Sequence, residues 1–302
     1  MARGEAAGHV RPAMRAMMSV MSVDEHSWAG GRPAVGVLHP GAMGAALGSA
    51  LKPAASAVVW AAAGRSHSTS KRAELADLVG VPDIAAVACR CDVIISICPP
   101  HAALDVAEQV AAALPARSGP PLLYLDANAV SPATMRRIAV LFGPERVVDG
   151  ALIGPPAWTA GQTVLWLSGA AAGAIAALFT GSPFEAKVLG VDLGAASALK
   201  ACFGLQSKAL PAIWLALAEV AESAGVGGAL REELARFGVD LAGEVAGIGP
   251  RAGAKAWRWV GEMEEAGSAL AELGVPDGFS RAAAEVYRRH ANRSANGLGN
   301  LF

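Results

Sequence analysis

The sequence predicts an α/β protein: a doubly wound, mostly parallel sheet followed by an all-helical second domain. Three observations carry that expectation. From residue 33 to about residue 190, short continuous apolar runs alternate with helical patterns. A glycine-rich turn joins the first run to the first helix in VGVLHPGAMGAALGSAL (35–51). After about Leu193 the strand patterns cease and each later segment reads as helix or loop. Continuous apolar strands alternating with helices are what a parallel sheet covered on both faces requires.

Taken in order, PAVGVL (33–38) is a strand, AMGAALGSAL (42–51) a helix and SAVVWA (56–61) a second strand. A helix near 70–79 and a short one around 83–88 precede the strand DVIISIC (92–98). HAALDVAEQVAAAL (101–114) is helical, and PLLYLDA (121–127) is a strand. SPATMRRIAVLF (131–142) starts with a capping serine and a proline at the first helical position. ERVVDGALI (145–153) and TVLWLSG (163–169) add strands, and AAAGAIAALF (170–179) is a short buried helix. The stretch 194–226 is helical for most of its length, with Pro211 as a candidate kink. The expected organisation is therefore a dinucleotide-binding type domain over 33–190 and a helical domain over 191–302. Residues 1–32 read as a disordered extension, or translation begins at one of the methionines within it.

Composition narrows the function classes. The 302 residues are 53% hydrophobic and 17% charged, with a net charge of −1, so there is no basic footprint for nucleic acid. Cys89, Cys91, Cys98 and Cys202 make neither a disulfide framework nor a zinc spacing, which suits reduced thiols in a cytoplasmic setting. Residues 151–184 lack any charge or histidine, but Gly154, Pro155, Pro156 and Gly161 interrupt the run, so it is read as part of a soluble domain rather than a membrane helix.

The turn is a departure from the usual G-x-G-x-x-G, because His39 stands at the first glycine position of H-P-G-A-M-G. Its setting, after the first strand and opening the first helix of an alternating domain, makes it a Rossmann-like nucleotide site formed by His39, Pro40, Gly41, Ala42, Met43 and Gly44. Gly41 lets the backbone approach a pyrophosphate at the helix N-terminus, and Gly44 lets that helix pack on the strand. No Asp or Glu occurs between Gly44 and Glu74, where an NAD site would place its ribose-binding carboxylate. Arg65 and Ser66 stand just past the second strand instead, and an Arg fork with hydroxyls suits a 2′-phosphate. The expected cofactor is NADP(H).

The order of motifs resembles the 3-hydroxyacid dehydrogenases related to 6-phosphogluconate dehydrogenase, a family that also includes the imine reductases. The resemblance covers about residues 34–225 and rests on GAMG (41–44), CPPHAA (98–103), DANAVSP (126–132), DGALIGPP (149–156) and G-x-x-x-x-x-K, Gly194 to Lys200. It implies that Lys200 is the general acid/base. It also places Pro99, Pro100 and Asn128 at the cofactor, and Asn128, Ile153, Gly154 and Gly204 at the substrate. Asn128 has a second reading, as the cap of the following turn. The resemblance further implies a homodimer whose helical domains complete the cleft. Lys208, two turns beyond Lys200, is expected to be structural, and Trp214, Trp257, Trp259 and Tyr287 are expected in the core or at subunit contacts.

Two departures bear on the substrate. Phe203 and Gly204 stand where many relatives carry Asn, and Ile153-Gly154-Pro155 replaces the Ser-Gly-Gly that grips a carboxylate. The pocket is thus expected to favour a bulkier or less polar small molecule. Three functions remain in view: an NADPH-dependent oxidoreductase acting on a carbonyl or hydroxy acid through Lys200, an imine reductase, and a non-catalytic NADPH-binding sensor or scaffold. Lys200 counts against the second, because that branch usually holds Asp or Tyr there.

Overall fold

The computed structural model describes residue 28 and residues 31–295. Most of the expected 1–32 extension therefore lies outside the described residues, though Trp28 packs partly buried against the apolar core.

An eight-stranded sheet is laid out in the order β3-β2-β1-β4-β5-β6-β7-β8. Its strands are β1 (Ala34–Val37), β2 (Ala57–Ala61), β3 (Val79–Val81), β4 (Val93–Ser96), β5 (Leu123–Asp126), β6 (Val147–Ile153), β7 (Thr163–Ser168) and β8 (Phe184–Gly190). All neighbours are parallel except β6 and β7. The reversal follows from a tight connection in place of a crossover helix. Gly154 takes φ 135°, and a Cβ there would meet the Gln162 carbonyl at 2.3 Å, so only glycine fits the turn.

Successive strand residues point to opposite faces, and each face has its own core. Val35, Val37, Val93, Ile95, Leu123 and Leu125 pack on one side. Leu38, Ile94, Tyr124 and Val147 pack on the other, with Tyr124 and Phe142 stacked at 4.4 Å. The covering helices are α1 (Ala42–Leu51), α2 (His67–Leu75), α3 (Ile84–Arg90), α4 (Ala103–Ala113), α5 (Pro132–Phe142) and α6 (Ala172–Ala177).

Three expectations need correction. The helix placed at 70–79 runs over His67–Leu75, because the Ser66 hydroxyl accepts from the Thr69 N–H at 3.2 Å and caps it earlier. The sequence predicts no strand at β3, since three residues give no period to read. β8 was not anticipated because it is half-exposed along its length rather than a continuous buried run.

The helical part consists of α7 (Ala195–Gly204), α8 (Leu210–Ser223), α9 (Gly227–Arg236), α10 (Leu241–Glu272) and α11 (Gly278–Ala295). Between α7 and α8 the chain makes a π turn over Leu205–Ala209. Pro211 has no N–H to return to the preceding turn, so the sequence's kink signal appears as this widened turn. The run Ala195–Ser223 is long and apolar enough to cross a membrane by length and composition, with a window of mean hydropathy 1.3. It also carries Lys200 and Lys208. Tyr287, Met263, Leu215 and Ala212 are buried between these helices, and Trp259 packs edge-on to Tyr287 at 5.0 Å.

Candidate active site

β1, β2, β4, β5 and β6 run in the same direction, so their C-terminal ends form one edge. Along that edge follow Arg65 after β2, His39 after β1, Cys98–Pro100 after β4, Asn128–Val130 after β5, and Leu152–Ile153 at the end of β6. The strand order reverses between β1 and its neighbours β2 and β4, the crevice where open α/β sheets bind ligands.

At the β1 end, the Gly41 N–H donates to the His39 carbonyl at 2.8 Å and closes the turn. A Cβ on Gly44 would meet that same carbonyl at 2.3 Å, so α1 can start this close only with glycine there. A Cβ on Gly41 would meet nothing within 4 Å, which leaves open space over the helix start. α1 has neither a capping side chain nor an acid in its first turn, so its free N–H groups and dipole favour an anion. Ala42 is exposed beside this space, Pro40 is buried, and Met43 packs into the core. These two side chains serve the turn rather than a ligand.

Two buried nitrogens beside the turn lack partners, His39 Nδ1 and Arg65 Nε. Arg65 forms no ion pair among the described residues. A guanidinium left without a carboxylate next to an empty-handed imidazole is a donor set that fits a phosphate. Ser66 is exposed and its hydroxyl is used as the α2 cap.

Asn128 departs from the expected ligand role. Its Nδ2 donates to Ser96 Oγ at 3.0 Å and to Asp126 Oδ2 at 2.8 Å, while its Oδ1 accepts the Cys98 N–H at 2.5 Å. Both amide protons are spent inside the protein, so Asn128 ties the loops after β4 and β5 together. Asp126 is fully buried there, and burial pushes its carboxyl up to about 7 against the Asn128 hydrogen bonds. Pro99 opens a short 3-10 turn, and Pro100 packs buried about 3.8 Å from where a Gly261 Cβ would sit on α10.

α7 is pinned to the sheet at its first turn. The buried Asp149 carboxylate accepts from the Ser197 N–H at 2.9 Å and hydroxyl at 2.7 Å, and Ser168 Oγ accepts from the Ala196 N–H at 3.1 Å. These acceptors satisfy helix N–H groups that would otherwise be orphaned. Gly194, at φ 101°, makes the entry turn against Pro132. One turn on, Lys200 Nζ donates to the Leu152 carbonyl at the end of β6.

Burial lowers the Lys200 ammonium to about 8, with Lys208 and Arg258 adding to the effect and Glu262 opposing it. Glu262, on α10, is buried between Lys208 and Arg258, each at 2.8 Å. Burial would raise its carboxyl, but those two cations hold it below the usual carboxylate range. Lys200, Gly204, Lys208, Glu262 and Glu265 line one cavity of about 10 Å³ with Val130. Lys208 is thus part of the same cluster as Lys200, and Glu262 is the functional candidate that sequence reasoning missed. It lies far from any motif, on a helix whose place against α7 cannot be read from spacing.

The remaining expectations divide. Gly204 lets Met263 approach to 3.2 Å of a hypothetical Cβ and so sets how closely α7 and α10 pack. Ile153 is half-buried, while Gly154 is exposed and serves the β6–β7 turn. Gly154 is accordingly reassigned from substrate contact to turn.

Comparison with known proteins decides the fold family. Residues 221–290 match the family described as "Domain of unknown function (DUF1932)". An uncharacterised 28.5 kDa protein of Methanothermus fervidus is 32% identical over 164 residues, a match spanning 54% of this chain and 61% of that protein. A conserved protein of unknown function, described as structurally similar to 3-hydroxyacid dehydrogenases, superposes with a TM-score of 0.61 at 25% identity. That alignment covers 87% of this chain and 99% of that one. The chain has the 3-hydroxyacid dehydrogenase fold.

Two further structures with this fold are similar. The 3-hydroxyisobutyrate dehydrogenase of Mycobacterium tuberculosis, solved with L-serine, gives a TM-score of 0.63 at 17% identity over 89% of this chain and 100% of that one. A reductive aminase of Aspergillus terreus, solved with NADPH and ethyl levulinate, gives 0.50 at 20% identity over 88% and 94%. In the 3-hydroxyacid dehydrogenase fold adopted here, the His39–Gly44 turn and Lys200 lie along one sheet edge. β1 and β6 are three strand spacings apart, roughly 14 Å.

Proposed function

We propose that this chain is an NADPH-dependent oxidoreductase that transfers a hydride between the nicotinamide and a carbonyl or hydroxy-acid type small molecule, with Lys200 as general acid/base. The observation that carries the reading is the Lys200 amino group, held at the β6 end in a cavity and lowered to about 8. A lysine shifted this far can give and take a proton near neutral pH, which a solvated lysine cannot do efficiently.

The His39–Gly44 turn and the free start of α1 would hold the diphosphate, and Arg65 the 2′-phosphate, on the unpartnered nitrogens described above. When bound, NADPH supplies the hydride. Lys200 holds a proton on Nζ and delivers it to the carbonyl oxygen as negative charge develops there. In the opposite direction the neutral amine accepts the hydroxyl proton. Glu262 keeps the cation cluster around Lys200 from expelling its proton altogether.

A cavity of about 10 Å³ has room for one water at most. A substrate at Lys200 therefore needs more room than this cavity gives, and one wall of it is the seam between α10 and the loop after β5. That seam is held by Glu265, which accepts from the Ser131 N–H at 2.6 Å and the Thr134 hydroxyl at 3.2 Å. A second copy of the chain is proposed to cover the exposed apolar face of α8, where Ile213, Leu217 and Val220 form a groove with Leu230 of α9.

The loss of polar anchors at Ile153-Gly154-Pro155 favours an imine as the second reading. NADPH oxidation followed with 2-oxo acids, 3-oxo acids and cyclic imines separates the two. Turnover of oxo acids that is lost in Lys200→Met supports the leading reading. Turnover confined to imines and unaffected by Lys200→Met overturns it.

A further inference from the structure

His39 stands where the usual G-x-G-x-x-G turn has its first glycine, and its ring makes no hydrogen bond among the described residues. Its Nδ1 is buried without a partner, as is Arg65 Nε beside it. The two side chains follow neighbouring parallel strands, β1 and β2, whose C-terminal ends flank the place where an adenosine ribose is gripped in dinucleotide folds.

The charges around His39 are few. β1 and α1 contribute no charged side chain over residues 34–51. Arg65 is the one cation acting on the ring. From the β4 end comes Cys98, whose thiol is pushed up to about 12 by burial and Asp126 and so stays neutral. His67 and His101 are exposed on the adjoining segments. Burial, with Arg65 adding to it, lowers the imidazole to about 4, so the free protein carries His39 neutral at physiological pH.

We infer that His39 is a second specificity-determining residue for the cofactor: it takes a proton from solvent as the 2′-phosphate docks between its ring and Arg65. The inference rests on the NADPH reading of this turn. The phosphate's own bonds are unchanged; one proton moves from solvent to the ring nitrogen. A dianion at hydrogen-bond distance reverses the repulsion that Arg65 exerts and rewards the imidazolium. NADPH is thereby bound with a proton and NADH without one, and NADPH affinity rises as pH falls toward the second pKa of the phosphate, about 6.

The test is calorimetry at pH 7.5 on the full chain, titrating NADPH and separately NADH in buffers of differing ionisation enthalpy. The expected result is uptake of about one proton with NADPH and none with NADH. In both His39→Gln and His39→Gly that uptake disappears, and the NADPH-over-NADH affinity ratio falls about 10-fold, the loss of one charge-assisted hydrogen bond. The glycine variant guards against a merely misfolded turn, because glycine is the usual residue at that position of the motif. NADPH binding with no proton uptake, or uptake that persists in both variants, overturns the inference while leaving the cofactor reading intact. Absence of binding by either nucleotide overturns the cofactor reading itself.

Discussion

Glu262 and Lys208 face each other at 2.8 Å, two helices apart in sequence and joined to the same cavity as Lys200. With Arg258 on its other oxygen, this buried carboxylate is the counter-charge for three cations. Replacing it with neutral Gln removes the interaction that opposes the lowering of Lys200. In Glu262→Gln the Lys200 titration should move further below 8, read from the pH dependence of turnover. Glu262→Ala, which leaves two cations unpaired in a part-buried site, should cost about 3–5 kcal/mol in denaturant unfolding. An unchanged pH profile in the Gln variant would remove Glu262 from the proton chemistry.

Carbonyl reduction needs protonated Lys200, so its rate should be flat at low pH and fall as pH rises through about 8. Alcohol oxidation needs the neutral amine and should rise through the same value. Steady-state pH profiles in both directions check this. Two limbs of the same sign would contradict it.

The same group has a sign in folding. Its folded pKa of about 8 lies below the 10.5 of an ordinary lysine, so the charged form is disfavoured by folding. The resulting destabilisation is present in full below pH 8 and vanishes above pH 10.5. By linkage it amounts to about 3 kcal/mol at pH 7. Lys200→Met should therefore raise the unfolding midpoint at pH 7 and gain less at pH 10, less whatever the lost bond to Leu152 contributes. Chemical denaturation at both pH values measures it.

Arg65→Ala should lower NADPH affinity about 10- to 100-fold, the value of one to two charge-assisted hydrogen bonds, and leave NADH affinity nearly unchanged. Fluorescence titration with each nucleotide reads the ratio. An equal loss for both would mean that Arg65 supports the turn rather than the 2′-phosphate.

The fold was legible in the sequence wherever a strand is buried on both faces. β1, β4 and β5 are such strands, and their runs stood out. β3 is three residues long and β8 half-exposed, so neither left a clear apolar signal. The resemblance pointed to Lys200 through the run Gly194 to Lys200, and the structure places its amino group at the end of β6. For Asn128 the spacing gave the side chain's place at the sheet edge but not what it is already bonded to. Here Ser96, Asp126 and Cys98 take its amide. Glu262 was invisible for a related reason: it reaches the site through the packing of α10 on α7, a long-range contact without a local pattern.

The central claim is that Lys200 moves the proton while a cofactor is seated on the His39–Gly44 turn. It is tested most directly by comparing native protein with Lys200→Met for NADPH binding and for NADPH oxidation with the best carbonyl substrate of the native enzyme. The account predicts equal NADPH affinity and a turnover lower by about 10²- to 10⁴-fold. A methionine variant that binds NADPH and turns over at the native rate would contradict it.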